Sequence, residues 1–273
     1  IIKGVKGCNY MIFLQHEKGW DNMLTKTRQK EILKLLENRG SVTLQELKDH
    51  LNTSESTIRR DLNTLDAQGK LVKVFGGAVA ADNMSIRDEQ VSRREEKNFE
   101  EKRLIARYAA SLIQDDDFVY LDAGTTTGCM LDYISDTTTA VFVTNAPSHA
   151  QKLARKGMEV ILIGGRLKQS TEAVVGEEAC RQIEKFNFSL GFLGSNGVSE
   201  RSGFSTPDQD EAMVKKRAIE RIHRCFVLCD HTKFYKVSPI SFAKLEDAVV
   251  LTDSAPQGNF QEMPNIVEIS EDE

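Results

Sequence analysis

From residue 104 onward the chain alternates helix-like segments with six short apolar runs, "FVYLD", "AVFVTN", "EVILIGG", "SLGFLG", "CFVLCD" and "AVVLTD". No other feature constrains the fold as tightly. Apolar strands separated by helical segments predict a mostly parallel sheet with helices on both faces, an α/β domain. In such sheets ligands sit beyond the carboxyl ends of the strands, so the residues that follow each run are the candidates for chemistry.

The first run is the most informative. "YLDAGTTTG", residues 120–128, reads as a strand, a small-residue turn and a helix start. Gly124 allows close backbone approach, while Thr125, Thr126 and Thr127 set hydroxyls beside free NH groups, a combination that favours a phosphate dianion. No Gly-Lys-Ser/Thr follows, so this is not a Walker loop; a capped helix start without a ligand is the alternative. The other strand ends supply Thr144 and Asn145 in "VTNA", Gly164, Gly165 and Arg166 in "IGGR", Ser195, Asn196 and Gly197 in "GSNGV", and Asp230 and Lys233 in "CDHTKF". Any one of these could be a plain turn. Converging on one sheet edge, they suit a polyol phosphate, whose hydroxyls need paired donors and acceptors and whose phosphate needs cations and NH groups.

The upstream part has helical periodicity instead. "LTKTRQKEILKLLENRG", from Leu24, puts Ile32, Leu33, Leu35 and Leu36 on one stripe, with Gly40 placed as the C-terminal cap. "TLQE", residues 43–46, is a capping box opening a short second helix with Leu44, Leu47 and Leu51 inward and an end near Asn52. Ser54 caps a third helix in which Ile58, Leu62 and Leu65 face inward, leaving Glu55, Ser56, Arg59, Arg60 and Asn63 outward. "KLVKVFGGAV" then alternates around the pair Gly76-Gly77 as a hairpin or wing.

Three helices followed by a hairpin is the winged helix-turn-helix plan. The third helix enters the major groove of DNA, which makes Arg59 and Arg60 DNA contacts; a small helical protein-interaction module is the alternative. Charge agrees with a polyanionic partner for this part. Residues 23–79 hold 10 Lys and Arg against 7 Asp and Glu, whereas residues 80–273 hold 23 against 32, within a chain of net charge −5.

"SESTIRRDLNTLDAQGKLVKVFGGA" is similar to the signature of DeoR-family bacterial transcriptional regulators, and the match is dense across residues 24–79. In that family the third helix is the recognition helix, so the resemblance assigns Ser54, Ser56, Thr57, Arg59 and Arg60 to the DNA face. "LDAGTTT", "VTN", "IGG", "VVG", "GSNGV" and "DHTKF" match in order across residues 104–253. They imply an effector domain whose fold resembles ribose-phosphate isomerases and related sugar-phosphate sensors. Ser189 departs from the pattern, because many relatives carry an acidic residue there.

"GFSTPDQDEAMVK" and "DHTKFYKVS" resemble the fructose-operon repressors of the family more closely. With Asp122, they add Asp208, Glu211 and Lys215 to the effector-binding set. The resemblance implies repression lifted by a phosphorylated ketohexose, with fructose 1-phosphate the first choice and tagatose 6-phosphate or fructose 1,6-bisphosphate behind it. The rival reading is a sugar-phosphate isomerase joined to a DNA-binding domain. Asp122, Asp208 and Glu211 are then candidate bases, and Glu211 sits at a helix start much as the base does in the isomerases this domain resembles. A helix dipole favours an acid there in any case, and an effector must persist to report its concentration, so a sensor without cofactor or metal is expected. The partners are double-stranded operator DNA, the sugar phosphate and further copies of the chain, since one winged helix makes a small interface.

Residues 80–103 are charged and poor in core formers, a linker leading into a helix. Arg94, Asn98, Glu101, Lys102, Ile105 and Ala106 resemble the family's spacing there, which implies a helix of the second domain and a boundary near residue 85. The expected organisation is 23–79 for DNA, 80–103 as connection and 104–273 for the effector. Residues 1–22 show no period and are read as a non-native or untranslated upstream extension. Glu17, Lys18 and Gly19 can be encoded by a purine run containing AAGG just before an ATG for Met23, which would be the natural start; mass spectrometry of protein from the native locus checks this.

Five scattered cysteines, Cys8, Cys129, Cys180, Cys225 and Cys229, suggest neither a disulfide framework nor a zinc site, and point to a reducing cytoplasm. Cys225 and Cys229 flank "FVL" as buried small hydrophobes. No run approaches the ~18 apolar residues of a membrane helix.

Overall fold

The computed structural model describes residues 25–36, 41–74, 76–80, 89–256 and 258–270. The first 22 residues, the start expected at Met23, the cap expected at Gly40 and linker residues 81–88 lie outside that set. The chain divides into two compact units, 1–82 and 83–273.

In the first unit, helix α1 spans 25–36. Strand β1 (Ser41–Thr43) leads into α2 (Leu44–Leu51), then α3 (Glu55–Ala67), β2 (Leu71–Val74) and β3 (Gly77–Ala80). The capping box forms as the sequence requires. Glu46 N donates to Thr43 Oγ1 at 3.1 Å and Thr43 N to Glu46 Oε2 at 2.7 Å. Asn52 ends α2 in the left-handed region, φ 44°. Ile32, Leu36, Val42, Leu44, Leu47, Ile58, Leu62, Leu65, Leu71 and Ala78 form one core, with Leu33, Leu35 and Leu51 half-buried against it.

The wing differs from the expected hairpin in two respects. It has three strands in the order β1-β3-β2, β1 coming from the link between α1 and α2. Of the glycine pair, Gly76, at φ +80°, is in the turn and Gly77 opens β3, where a Cβ would lie 2.1 Å from the Val42 carbonyl oxygen of β1. Gly77 is small so that a third strand can lie against it.

The second unit opens with α4 (Val91–Glu96) and α5 (Phe99–Ser111), followed by β4 (Phe118–Leu121), α6 (Thr125–Met130), β5 (Val141–Thr144), α7 (Pro147–Arg155) and β6 (Val160–Leu162). The hairpin β7 (Arg166–Lys168) and β8 (Ala173–Val175) precedes α8 (Glu177–Ile183) and β9 (Phe188–Gly194). Then come β10 (Gly197–Ser199), β11 (Gly203–Thr206), α9 (Gln209–Ile219), β12 (Ile222–Leu228), β13 (Ile240–Ala243), β14 (Val249–Thr252), α10 (Asn259–Glu262) and β15 (Ile266–Glu268).

The main sheet has seven parallel strands in the order β15-β14-β12-β9-β4-β5-β6. All six apolar runs lie in it, and β15, from "IVE", was not among them. Period-2 alternation sends Tyr120, Val143 and Leu193 into the core beneath α8 and α9, and Val119, Leu121, Phe142 and Phe192 into the core beneath α5 and α6. Burial on both faces is why the inner strands read as continuous apolar runs, whereas the edge strand β6 leaves Ile161 and Leu162 exposed. The chain builds β4, β5 and β6 in one direction and then returns to add β9, β12, β14 and β15 on the other side. This puts the topological switch point between β4 and β9. A small antiparallel sheet, β10-β11-β13, accompanies the main one.

Cys225 and Cys229 are buried in or beside β12, and burial pushes both thiols up to about 12, as expected of packing cysteines. Among the described residues no helix is long and apolar enough to cross a membrane, and no group of His, Cys, Asp or Glu is placed to hold a metal ion.

Candidate functional site

The first candidate surface is the outer face of α3. Ser54 caps the helix, its Oγ accepting from Thr57 N at 3.3 Å and lying 3.0 Å from Ser56 Oγ and 2.9 Å from Thr57 Oγ1. Arg59 and Arg60 project opposite buried Ile58, Leu62 and Leu65. Arg59 is held by Glu55 across one turn, Nη2 to Oε1 at 2.7 Å, whereas the Arg60 guanidinium has no partner among the described residues. The wing is tied to the same helix, Lys73 Nζ donating to Asn63 Oδ1 at 2.7 Å and Lys73 N to Asp66 Oδ1 at 2.9 Å.

One residue of this helix escaped the sequence reading. Asp61 is buried and forms an ion pair with Arg28 of α1, while Gln29 Nε2 donates to its other oxygen at 3.2 Å. An acid in a helix that carries the arginine pair looks like part of the polar face. Its inward direction shows only once α1 is packed against α3.

The second candidate surface is the carboxyl edge of the main sheet. At the switch point Asp122 ends β4 and is buried in an ion pair with Lys215 of α9. Lys215 Nζ also donates to the Gly194 carbonyl at 3.0 Å, and Gly194 N donates to Asp122 Oδ2 at 3.2 Å, so β4, β9 and α9 are joined through one charged pair. Burial raises the Asp122 carboxyl above its usual range, with Lys215 opposing.

Asp208 caps α9, accepting from Glu211 N at 2.9 Å. Burial pushes its carboxyl up, but that NH group and Lys168, at 3.1 Å, outweigh the burial and hold it low. Glu211 is buried with both oxygens engaged. Thr171 donates to one and Thr206 to the other at 3.2 Å, and Lys168 Nζ stands 3.4 Å away. Among the candidate bases, Glu211 is thus fixed by its neighbours on every side that these residues describe.

Above Asp122, the three threonines separate into different roles. Thr127 is fully buried, its hydroxyl 2.7 Å from the Asp122 carbonyl and 2.9 Å from that of Gly124. Thr126 is buried, and Thr125 and Gly124 line a cavity of about 380 Å³. The cavity wall also carries Arg94 and Phe99 from α4 and α5, His149 and Lys152 from α7, and Thr171, whose hydroxyl leads on to Glu211. Asn145 braces the floor: its Oδ1 accepts from Ala123 N at 2.9 Å and its Nδ2 donates to the Val174 carbonyl at 3.2 Å. Thr144 Oγ1 accepts from Ala146 N at 3.1 Å.

The Asp230 strand end is tied to the α4–α5 junction, whose Arg94, Glu95 and Phe99 line the cavity. Asp230 Oδ1 accepts from Asn98 Nδ2 at 2.9 Å and Thr232 N at 3.0 Å, with Lys233 Nζ 3.8 Å from Oδ2. Burial opposes ionisation of Asp230, but Lys233, Thr232 and Asn98 prevail and its carboxyl stays low. Buried Lys102, depressed by burial, donates to the carbonyl of cavity-lining Arg94.

Three of the sequence candidates do other work. Gly164 N donates to Gln182 Oε1 at 2.9 Å, Gly165 (φ +150°) packs against Val174, and a Cβ on Gly197 would lie 2.4 Å from the Lys236 carbonyl oxygen, so these glycines fit close backbone packing. Ser189 lies at the opposite, amino end of the strands. Its hydroxyl donates to Asp117 Oδ1 at 2.7 Å and accepts from Phe118 N at 3.0 Å, so an acid at that position would not face the cavity. Arg94, His149, Lys152 and Thr171 are the wall residues that strand-end reasoning missed, Arg94 having been noted only for its spacing. His149 stands four positions after Asn145, so inspecting the first turn of each helix after a strand would have found it.

Residues 28–84 match the DeoR-like helix-turn-helix domain and residues 97–254 the DeoR C-terminal sensor domain. The uncharacterized HTH-type transcriptional regulator FruR of Bacillus subtilis is 40% identical over 243 residues, covering 88% of this chain and 96% of that protein. The HTH-type transcriptional regulator GlpR of Haloferax volcanii is 34% identical over 241 residues, covering 88% and 94%. The lactose phosphotransferase system repressor of Staphylococcus aureus is 33% identical over 247 residues, covering 89% and 97%. Among solved structures, ribose 5-phosphate isomerase A of Methanocaldococcus jannaschii aligns with a TM-score of 0.39 at 14% identity, over 51% of this chain and 56% of that one. That likeness is too weak to add to the family match.

Proposed function

The chain belongs to the DeoR family of transcriptional regulators, and on that premise we propose that it represses a sugar-utilisation operon of the fructose type and is lifted from its operator by a phosphorylated ketohexose. Fructose 1-phosphate is the first choice, with tagatose 6-phosphate and fructose 1,6-bisphosphate behind it. It works in the cytoplasm as an oligomer, because pairing two recognition helices enlarges the small interface that one winged helix makes. The operator contacts are Ser54, Ser56, Thr57, Arg59 and Arg60. The chain acts as a sensor and not as an isomerase, in keeping with relatives that are named regulators and a repressor.

The observation that carries the effector reading is the cavity beyond the carboxyl ends of β4 and β5. Its volume, about 380 Å³, suits a small molecule, and for a phosphate its wall offers the Gly124–Thr125 backbone, the Thr125 hydroxyl and two cationic side chains, Arg94 and Lys152. Behind the wall, Asp122 adjoins Ala123 and Glu211 accepts from Thr171, and with Lys215 and Asp208 they complete the proposed effector-binding set.

The test is a gel shift on operator DNA with the three sugar phosphates and free fructose as competitors. Release by a phosphorylated ketohexose alone is expected, and Thr125→Ala should bind DNA normally yet resist release. Equal release by free fructose, or normal release of the Thr125→Ala protein, would overturn the phosphate assignment.

A further inference from the structure

His149 is the unexplained group in the cavity wall. It is 8% exposed, and its Nδ1 is buried without a hydrogen-bond partner among the described residues. A buried polar atom left unpaired costs about 1–3 kcal/mol, so native structures rarely leave one unless something else completes it. Close by, Arg94 is half-buried in the same wall and its guanidinium has no ion-pair partner among the described residues. The ring's other nitrogen is hydrogen-bonded to the Gly124 backbone, so the orphaned Nδ1 of the neutral ring is a bare acceptor; an anion with acceptor oxygens meets the unpaired arginine directly and the ring nitrogen once it is protonated.

We infer that His149 is a proton-linked contact of this site: an anionic sugar ligand binds with uptake of a proton onto the imidazole, which then donates from Nδ1 to a ligand oxygen. The inference rests on the sugar-phosphate reading above and specifies how that site responds to pH.

The surroundings of the ring support it. Without ligand, burial holds His149 down at about 4, Lys152 on its own helix acts in the same direction, and the hydrogen bond to the Gly124 backbone opposes them without prevailing. It is therefore neutral at cytoplasmic pH. Lys152 is paired with Asp132 at 2.7 Å, beyond the end of α6, and Cys129 on α6 is held in its thiol form by burial. The remaining wall charges are Arg94 and Glu95 of α4 and Glu172 of the β7–β8 loop, both glutamates being solvent-exposed. A dianion beside the ring adds the opposite charge that burial alone denies the imidazolium, and so raises its proton affinity. Proton balance is simple: one proton leaves the buffer and ends on His149.

Two measurements on the full chain test this. Long-range proton–nitrogen NMR spectra of the wild type at pH 7.5, with the His149 signals assigned through His149→Gln, should show a neutral ring alone and an imidazolium at saturating fructose 1-phosphate. Titration calorimetry at the same pH in buffers of different ionisation enthalpy should give uptake approaching about one proton per site for the wild type, and none for His149→Gln or His149→Asn. At that pH the phosphate itself is already almost all dianion, its second pKa being about 6, so it adds little to the balance. A ring that stays neutral on binding, or uptake that survives both substitutions, would overturn the inference alone. If none of the three sugar phosphates binds the wild type, the sugar-phosphate reading falls and this inference falls with it.

Discussion

At the residue scale, the two arginines of α3 and the acid between its turns separate function from stability. Arg59 and Arg60 are exposed, and the Arg59–Glu55 pair is of the solvated kind worth a few tenths of a kcal/mol. Replacing either by Ala should leave the denaturation midpoint nearly unchanged and weaken operator binding. A lost phosphate contact lowers the salt slope by about one unit, and a lost base contact costs about 1–3 kcal/mol at one base pair. Gel shifts on specific and scrambled DNA at two salt concentrations tell these apart; unchanged binding by both variants would refute the helix assignment. Asp61→Ala should do the opposite. It leaves Arg28 without its buried partner, at a cost of about 1–3 kcal/mol, visible as a lower urea midpoint before any DNA is added.

His149 makes a further residue-scale prediction in the absence of ligand. Its ring titrates at 6.5 ordinarily and about 4 when folded, so the folded pKa is depressed. The stability tied to the neutral ring is fully present above 6.5 and drains away as pH falls from there toward 4, reaching roughly 3 kcal/mol. Urea midpoints at pH 7.5 and 5 should therefore fall more for the wild type than for His149→Gln. Equal falls would mean the ring is not buried neutral.

At the element scale, the wing depends on a backbone approach that no side chain can satisfy. Gly77→Ala would push a methyl into the Val42 carbonyl oxygen, 2.1 Å away, and should part β1 from β3 at a cost of about 1–3 kcal/mol. Gly76→Ala meets nothing within 4 Å and pays only for its φ of +80°, about 1–2 kcal/mol. Amide exchange in the full chain reads the difference: Gly77→Ala should expose Val42 and Ala78, and Gly76→Ala should spare them. The same contrast holds in the second unit, where parallel strands buried on both faces were legible as apolar runs. Of the three-residue strands, β6 was legible through the longer apolar run that contains it, whereas β1, β7, β8, β10 and β15 were not, because a few paired residues leave no period to read.

At the scale of the whole molecule, a ligand that stabilises one unit reports where it binds. At 100 times its dissociation constant, fructose 1-phosphate should stabilise the effector unit by about 2.7 kcal/mol. Differential scanning calorimetry of the full chain should show that shift in the transition of residues 83–273. Release of DNA additionally requires the sugar to prefer the low-affinity arrangement, since a ligand bound equally by both shifts nothing.

Local features are written in neighbouring residues. Helix starts at Thr43 and Ser54, the inward stripe of α3, six of the seven parallel strands and the small-residue turn at Gly124 all follow from neighbours within a few positions, where capping, periodicity and side-chain size act. Distant pairings arise from the packing of the whole domain. Asp122 meets Lys215 across 93 positions and Asp61 meets Arg28 across 33, and neither pairing leaves a trace in the intervening residues. Strand order is of the same kind: each crossover could return on either side of β4, and the side taken places the switch point, the cavity and the orphaned His149 nitrogen. A ring nitrogen is unpaired only relative to everything packed around it, and that packing exists only in the assembled sheet.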